Sequence, residues 1–178
     1  LPADHQIKDV QAFQSAMGIA EKKAQEGKLV AFGVVPKHAE TGYGYINASA
    51  SDEQGANIAR FVEKPDLETA EKYLASGDYF WNSGMFVFGA KKYIDELSLL
   101  ESEIVAWCEK SLAEAEEDLD FIRLNKEAFS KNKDISVDYA VMERTEQAWC
   151  VPLDCGWSDL GSWASLWENS DKDADGNV

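Results

Sequence analysis

The chain has 178 residues, of which 45% are apolar and 11% aromatic, enough for one ordinary domain with a real core. Six tryptophans argue against disorder, and a net charge of −16 argues against nucleic-acid binding, which rests on neutralising phosphates. No apolar run approaches the roughly 20 residues that a membrane span needs, and no basic-then-apolar signal segment opens the chain. The chain starts at Leu1-Pro2-Ala3-Asp4, which reads as the end of a strand inside a longer protein.

Asp9 is placed to cap a helix in which Val10, Phe13, Met17, Ala20 and Ala24 recur at helical spacing, and Gly27 is a natural stop. Residues 29–35 form a continuous apolar run ending at Pro36, the pattern of a buried strand. Helix then buried strand is half of a βαβ unit. Residues 39–50 predict a strand whose Gly42 and Gly44 let the backbone approach a neighbour closely. A polar turn over 51–55 and a second strand over 57–63 complete a hairpin. Pro65-Asp66 opens a short helix with Leu67, Ala70, Tyr73 and Leu74 on one face, closed by Gly77. Residues 79–88 predict an aromatic strand interrupted at Asn82-Ser83-Gly84. Helices fill much of 91–115, and the acidic block 114–120 reads as solvated surface. A short helix over 137–144, a strand over 147–153 and a helix over 161–168 follow. The polar tail 169–178 reads as a linker. The order predicts an α/β fold with a mostly parallel sheet and an antiparallel insertion.

Three cysteines at spacings without a zinc or redox pattern point to reduced thiols in a cytoplasmic protein, and two isolated histidines give no zinc site. Metal chemistry would therefore be carboxylate chemistry. Asp4 either holds a cation at a strand end or caps a turn. Glu63 and Lys64 are either an exposed pair or a sugar-hydroxyl acceptor beside a phosphate-binding point charge. Asn82, with Gly84, marks either a β-bulge or a polar contact to vicinal hydroxyls. Asp159 either caps the helix that follows it or joins Asp4 at a metal.

Six segments together are more specific than any one of them. They are Leu1-Pro2-Ala3-Asp4-His5, Glu40-Thr41-Gly42-Tyr43-Gly44-Tyr45-Ile46, Phe61-Val62-Glu63-Lys64-Pro65, Trp81-Asn82-Ser83-Gly84-Met85-Phe86, Ser136-Val137-Asp138-Tyr139-Ala140-Val141-Met142-Glu143 and Trp157-Ser158-Asp159-Leu160-Gly161-Ser162-Trp163. In this order the chain resembles the bacterial mannose-1-phosphate guanylyltransferases, over roughly residues 1–168.

The resemblance implies a Rossmann-like α/β/α sandwich that joins GTP and mannose 1-phosphate into GDP-mannose and pyrophosphate, in GDP-mannose and polysaccharide biosynthesis. It implies Mg²⁺ held by Asp4 and Asp159, a phosphate grip by Lys64, and sugar contacts from Glu63, Gly44 and Asn82. Asp138 lies in a family motif without an assigned role. The family's Gly-rich nucleotide loop with its arginine has no counterpart here, so the expected sandwich is incomplete at its N-terminus and this polypeptide alone is expected to be inactive. Residues 1–168 would be the later part of the transferase domain, with 169–178 leading toward a further region. Another sugar 1-phosphate, or a non-catalytic sugar-phosphate-binding regulatory module, are the alternatives. The sequence leaves open whether the chain forms a homo-oligomer.

Overall fold

In the computed structural model, which describes residues 2–48 and 52–178, Asp9 caps α1 (Val10–Gln25) by accepting from the Ala12 N–H at 2.9 Å. Strand β1 (Leu29–Val34) is buried along its whole length. Strands β2 (Tyr45–Asn47), β3 (Ala56–Asn57) and β4 (Arg60–Val62) are short. Helix α2 (Leu67–Ser76) starts at an Asp66 cap and ends at Gly77, whose φ of 72° only glycine adopts freely. Then come β5 (Tyr79–Val87), α3 (Ala90–Leu100) and α4 (Ser102–Ala113), the two helices broken at Glu101. A hairpin of β6 (Glu116–Asp118) and β7 (Phe121–Arg123), the short α5 (Lys126–Phe129) and a π-helical turn (Asp138–Met142) precede β8 (Ala148–Leu153) and α6 (Trp163–Asn169).

Among the described residues, six strands form one sheet in the order β3-β8-β1-β5-β2-β4. Side chains of β1 alternate between two cores. Val30, Phe32 and Val34 meet α1 and α2 through Ala16, Ala20, Ala70 and Tyr73. Leu29 and Ala31 meet the π turn and α3 through Ala140, Val141, Met142, Tyr93 and Leu97. Helices thus cover both faces, which is why β1 reads as continuously apolar.

The sheet corrects three expectations. It is mixed rather than mostly parallel: among the described residues only β1 and β8 pair in parallel, and β1–β5, β2–β5, β2–β4 and β3–β8 are antiparallel. Helix α2 carries the chain from β4 across β2 to β5, so β4 and β5 run alike and the β2 between them opposes both. The expected strand over 57–63 is two strands on opposite edges. Ile58 N donates to Ala148 O at 3.0 Å while the next residue, Ala59, donates to Asn47 O at 2.9 Å, so the sheet curls until one segment ties both edges. Pro2, Ala3 and Asp4 belong to no strand. Among the described residues the first pairing is the isolated bridge between Gln6 and Ser158, and Pro2, Ala3 and Asp4 are exposed ahead of it. Leu1, Ser49, Ala50 and Ser51, which also carried expectations, lie outside the described residues.

Besides α5, two further features were not anticipated. The β6–β7 hairpin lies partly in the acidic block, and every one of its strand residues is exposed. The tail after α6 folds back: Trp167 Nε1 donates to Gly176 O at 3.1 Å, and Asp173 accepts from Asn177 N at 2.8 Å.

Candidate active site

Strand register builds the site. Tyr45 pairs with Val62 on one side and with Trp81 on the other. The residues one step along, Glu63, Gly44 and Asn82, therefore stand in a row across three neighbouring strands. The row is bonded at its centre, where Asn82 N donates to Gly44 O at 2.7 Å. Glycine is required in the middle of it: a Cβ on Gly44 would lie 2.5 Å from Glu63 Oε2 and 3.3 Å from Asn82 Cβ.

These three residues line a cavity of about 250 Å³ together with Lys64, Asp138 and Asp159, and the rings of His5, Tyr43 and Trp157 complete its wall. Lys64 carries the backbone to a φ of 46°, a left-handed conformation uncommon outside glycine, immediately before Pro65. Its Nζ lies 3.3 Å from Glu63 Oε1, with the lysine mostly exposed and the glutamate mostly covered. The pair is thus neither a plain surface ion pair nor a buried one: the acid is held in the wall and the base reaches over the opening.

Asn82 is pinned at both ends of its amide. Gly84 N donates to Oδ1 at 3.1 Å, and Nδ2 donates to Asp138 Oδ1 at 2.9 Å. Gly84 makes the first contact possible with a φ of 68°. The opposing strand shifts register between Ala31 and Gly33, so the ladder is irregular here as a β-bulge makes it, and Asn82 lines the cavity.

Asp159 follows β8 on a segment tied to the start of the chain by Gln6 and Ser158, which exchange backbone bonds at 2.9 and 3.1 Å. Its Oδ1 accepts from the Tyr43 hydroxyl at 2.6 Å and from Gly161 N at 3.1 Å. It does not cap α6. Ser162 does, accepting from Ser165 N at 3.0 Å in a capping box. Burial, reinforced by the bond to Asp159, raises the Tyr43 hydroxyl pKa well above the usual phenol range, so Tyr43 stays a proton donor to the carboxylate. Asp4 is exposed and does not line the cavity, although Pro2 and His5 beside it do.

Sequence reasoning assigned no role to Tyr43, His5 or Trp157. Trp157 Nε1 donates to His5 Nδ1 at 3.0 Å, which leaves the histidine proton on Nε2 in the neutral ring. The Tyr43 ring packs edge-on against Trp157 and Trp81, with centroids 5.5 and 5.3 Å away. Tyr43 lies 116 positions from Asp159, and no local pattern could pair them. The only available signal was an aromatic residue set between Gly42 and Gly44.

The family profile described as nucleotidyl transferase matches residues 1–176. Over its whole length the chain is 52% identical to the xanthan biosynthesis protein XanB of Xanthomonas campestris pv. campestris (strain B100). It is likewise 52% identical to the mannose-1-phosphate guanylyltransferase of Escherichia coli (strain K12). It spans 38% of the length of each of these curated relatives. Among solved structures it is similar to one described as mannose-1-phosphate geranyltransferase from Thermus thermophilus, with a TM-score of 0.83 and 32% identity, covering 96% of this chain and 49% of that one. A structure described as mannose-6-phosphate isomerase from Helicobacter pylori gives a TM-score of 0.80 and 36% identity, covering 89% of this chain and 62% of that one. The Rossmann-like α/β fold expected from the sequence holds.

Proposed function

This chain belongs to the nucleotidyl transferase family, and on that premise we propose that it supplies the sugar-phosphate pocket of an enzyme that transfers GMP from GTP to mannose 1-phosphate. A phosphate oxygen of the sugar attacks the α-phosphorus of GTP, the bond to the β-phosphate breaks, and GDP-mannose and pyrophosphate leave. The observation that carries this reading is the row of Glu63, Gly44 and Asn82 facing one cavity with Lys64 and Asp159.

The chemistry of that cavity supports a hexose phosphate. At about 250 Å³ it is just below the ~300–1,000 Å³ of pockets that engulf drug-sized ligands. Glu63 accepts hydrogen bonds from hydroxyls, and Asn82 both donates and accepts. Lys64 is the one lysine or arginine among the described residues lining it, and it presents its charge to the phosphate. Such a transfer depends on positioning and charge neutralisation rather than a protein nucleophile.

The carboxylate oxygens of Asp159, in the cavity wall, and of Asp4, exposed outside it, are the hard donors that Mg²⁺ takes, commonly one or two at a time with water and substrate phosphate completing the shell. Among the described residues no group of three or more His, Cys, Asp or Glu side chains is gathered for a metal. When bound, Mg²⁺ would supply Lewis-acid neutralisation of phosphate charge. The remaining work falls to the chain: Tyr43 and Gly161 hold one oxygen of Asp159, and Lys64 holds the sugar phosphate. We place the reaction in the cytoplasm, where three unpaired cysteines are at home. No helix among the described residues is long and apolar enough to cross a membrane.

The test is pyrophosphate release by the full-length gene product with GTP, Mg²⁺ and a panel of sugar 1-phosphates. Turnover with mannose 1-phosphate that drops about 100-fold or more in Lys64→Ala and Asp159→Ala supports the assignment. Turnover only with another sugar overturns the substrate. Binding of mannose 1-phosphate without turnover overturns the enzyme in favour of a regulatory module.

A further inference from the structure

We propose that Asp138 is a specificity-determining residue of this pocket: one carboxylate oxygen fixes the Asn82 amide, and the other accepts a hydroxyl of the bound sugar. The inference rests on the sugar-phosphate reading of the cavity and names a contact which that reading leaves unassigned.

Asp138 opens the π-helical turn, and its carbonyl accepts from Glu143 N at 2.9 Å, five residues on. Turns of this kind are rare and often sit at functional sites. This one is held firmly. Ala140, Val141 and Met142 are buried in the core beneath the sheet. Arg144, just beyond it, donates to Glu101 Oε1 at 2.6 Å and to Leu100 O at 2.8 Å, and Lys133 holds the other Glu101 oxygen at 2.7 Å. Thr145 Oγ1 donates to Glu96 Oε2 at 2.7 Å. A turn clamped at its base and buried along one side presents Asp138 from a fixed place.

From there Asp138 Oδ1 accepts from Asn82 Nδ2 at 2.9 Å. The Asn82 Oδ1 is already taken by Gly84 N. An amide nitrogen has two hydrogens and an ionised carboxylate has two accepting oxygens. One Asn82 hydrogen therefore remains for a ligand. Asp138 Oδ2 has no protein partner among the described residues, and Asp138 lines the cavity. Glu63 stands across the same cavity with its own carboxylate. The wall thus offers acceptor, donor and acceptor in succession, the complement of neighbouring hydroxyls, each of which gives and takes one bond. Burial, then Glu63, then Asp138 raise the Glu143 carboxyl above the usual range, so these carboxylates feel one another. A phosphate is disfavoured at this end, and the sugar is oriented with its hydroxyl edge toward Asp138 and its phosphate toward Lys64.

The experiment titrates the full-length gene product with mannose 1-phosphate and its monodeoxy analogues, followed by calorimetry, for wild type, Asp138→Asn and Asp138→Ala, with thermal melts alongside. Asp138→Asn can still turn an oxygen toward Asn82 but presents an amide where the second acceptor was. It is expected to keep the wild-type melting temperature and to lose about tenfold in affinity for mannose 1-phosphate. It should lose nothing for the one analogue that lacks the hydroxyl in question. Asp138→Ala frees Asn82 as well and weakens every analogue. Unchanged affinity in Asp138→Asn, or an equal loss across all analogues, overturns the inference while leaving the pocket assignment in place. A wild-type chain that binds no mannose 1-phosphate overturns both.

Discussion

Gly44→Ala separates the fold from the site more sharply than any other single change. The new Cβ would sit 2.5 Å from Glu63 Oε2, 3.3 Å from Asn82 Cβ and 3.5 Å from Phe61 Cε1, where ordinary contacts begin at 3.4 Å. Only the first contact is severe, so the Glu63 carboxylate has to retreat by roughly 1 Å. That carboxylate is the free end of a flexible side chain, and the retreat costs the fold little. Alanine also reduces the freedom of the unfolded chain, which offsets about 0.4–1 kcal/mol. The melting temperature should therefore move by only a few degrees. Ligand binding should not be spared. A hydrogen bond to a charged acceptor is worth about 1.5–3 kcal/mol net, and losing the Glu63 contact weakens mannose 1-phosphate binding by roughly 10- to 150-fold. Calorimetric titration beside thermal melts reads both quantities. Gly18→Ala in α1, where nothing lies within 4 Å of the added Cβ, is the control. It should stabilise the helix by up to about 1 kcal/mol and leave binding alone. Affinity within about twofold of wild type in Gly44→Ala would refute the reasoning, since any real displacement of Glu63 exceeds that. A collapse of the fold would refute it differently, by showing that Asn82 and Phe61 cannot give way.

Two further outcomes follow from the groups around the sheet. The folded state keeps the Tyr43 proton above the ordinary phenol value of 10.0, where the unfolded chain releases it. Its contribution to stability is thus complete below about pH 10 and is lost as pH rises beyond. In Tyr43→Phe this alkaline loss should shrink in urea melts, with the components from Tyr79 and Tyr93, also raised, remaining; an identical pH profile would count against the Asp159 contact. Burial pushes the Cys150 thiol from 9.0 up to about 12, and Cys155 is also raised, while Cys108 is exposed. A thiol reagent at neutral pH should therefore label one cysteine quickly in the native chain and the other two only on unfolding, and a second fast thiol would contradict the packing of β8 or of the segment that follows it.

What could be read from the sequence was whatever local chemistry dictates. Asp9, Asp66 and Gly77 bound their helices where caps and stops predict, because capping is settled within four residues. The β6–β7 hairpin was invisible because all its strand residues are exposed, so no alternation of apolar and polar positions marks it. The split of 57–63 into β3 and β4 was invisible because its cause lies at Ala148 on β8 and Asn47 on β2, the strands next to the two sheet edges. The site divides in the same way. Glu63, Gly44 and Asn82 stood out as polar or small residues in segments expected as strands, while the Tyr43–Asp159 and Asn82–Asp138 bonds span 116 and 56 positions and leave no local trace.

The site residues nevertheless share one determinant with the core. Trp81, Ser83 and Met85 are buried on one face of β5, and Asn82 between them points to the other. Val62 packs with the first core and Phe61 with the second, which leaves Glu63 on the Phe61 side. A slip of one residue between β2 and either neighbour would exchange these faces and expose Trp81 or Val62. The burial of large apolar side chains therefore fixes which strand residues face the cavity, and it does so without any interaction among the polar residues themselves. Glu63 and Asn82 can be replaced at little risk to the fold, whereas Trp81 and Val62, which do not line the cavity, hold it in register.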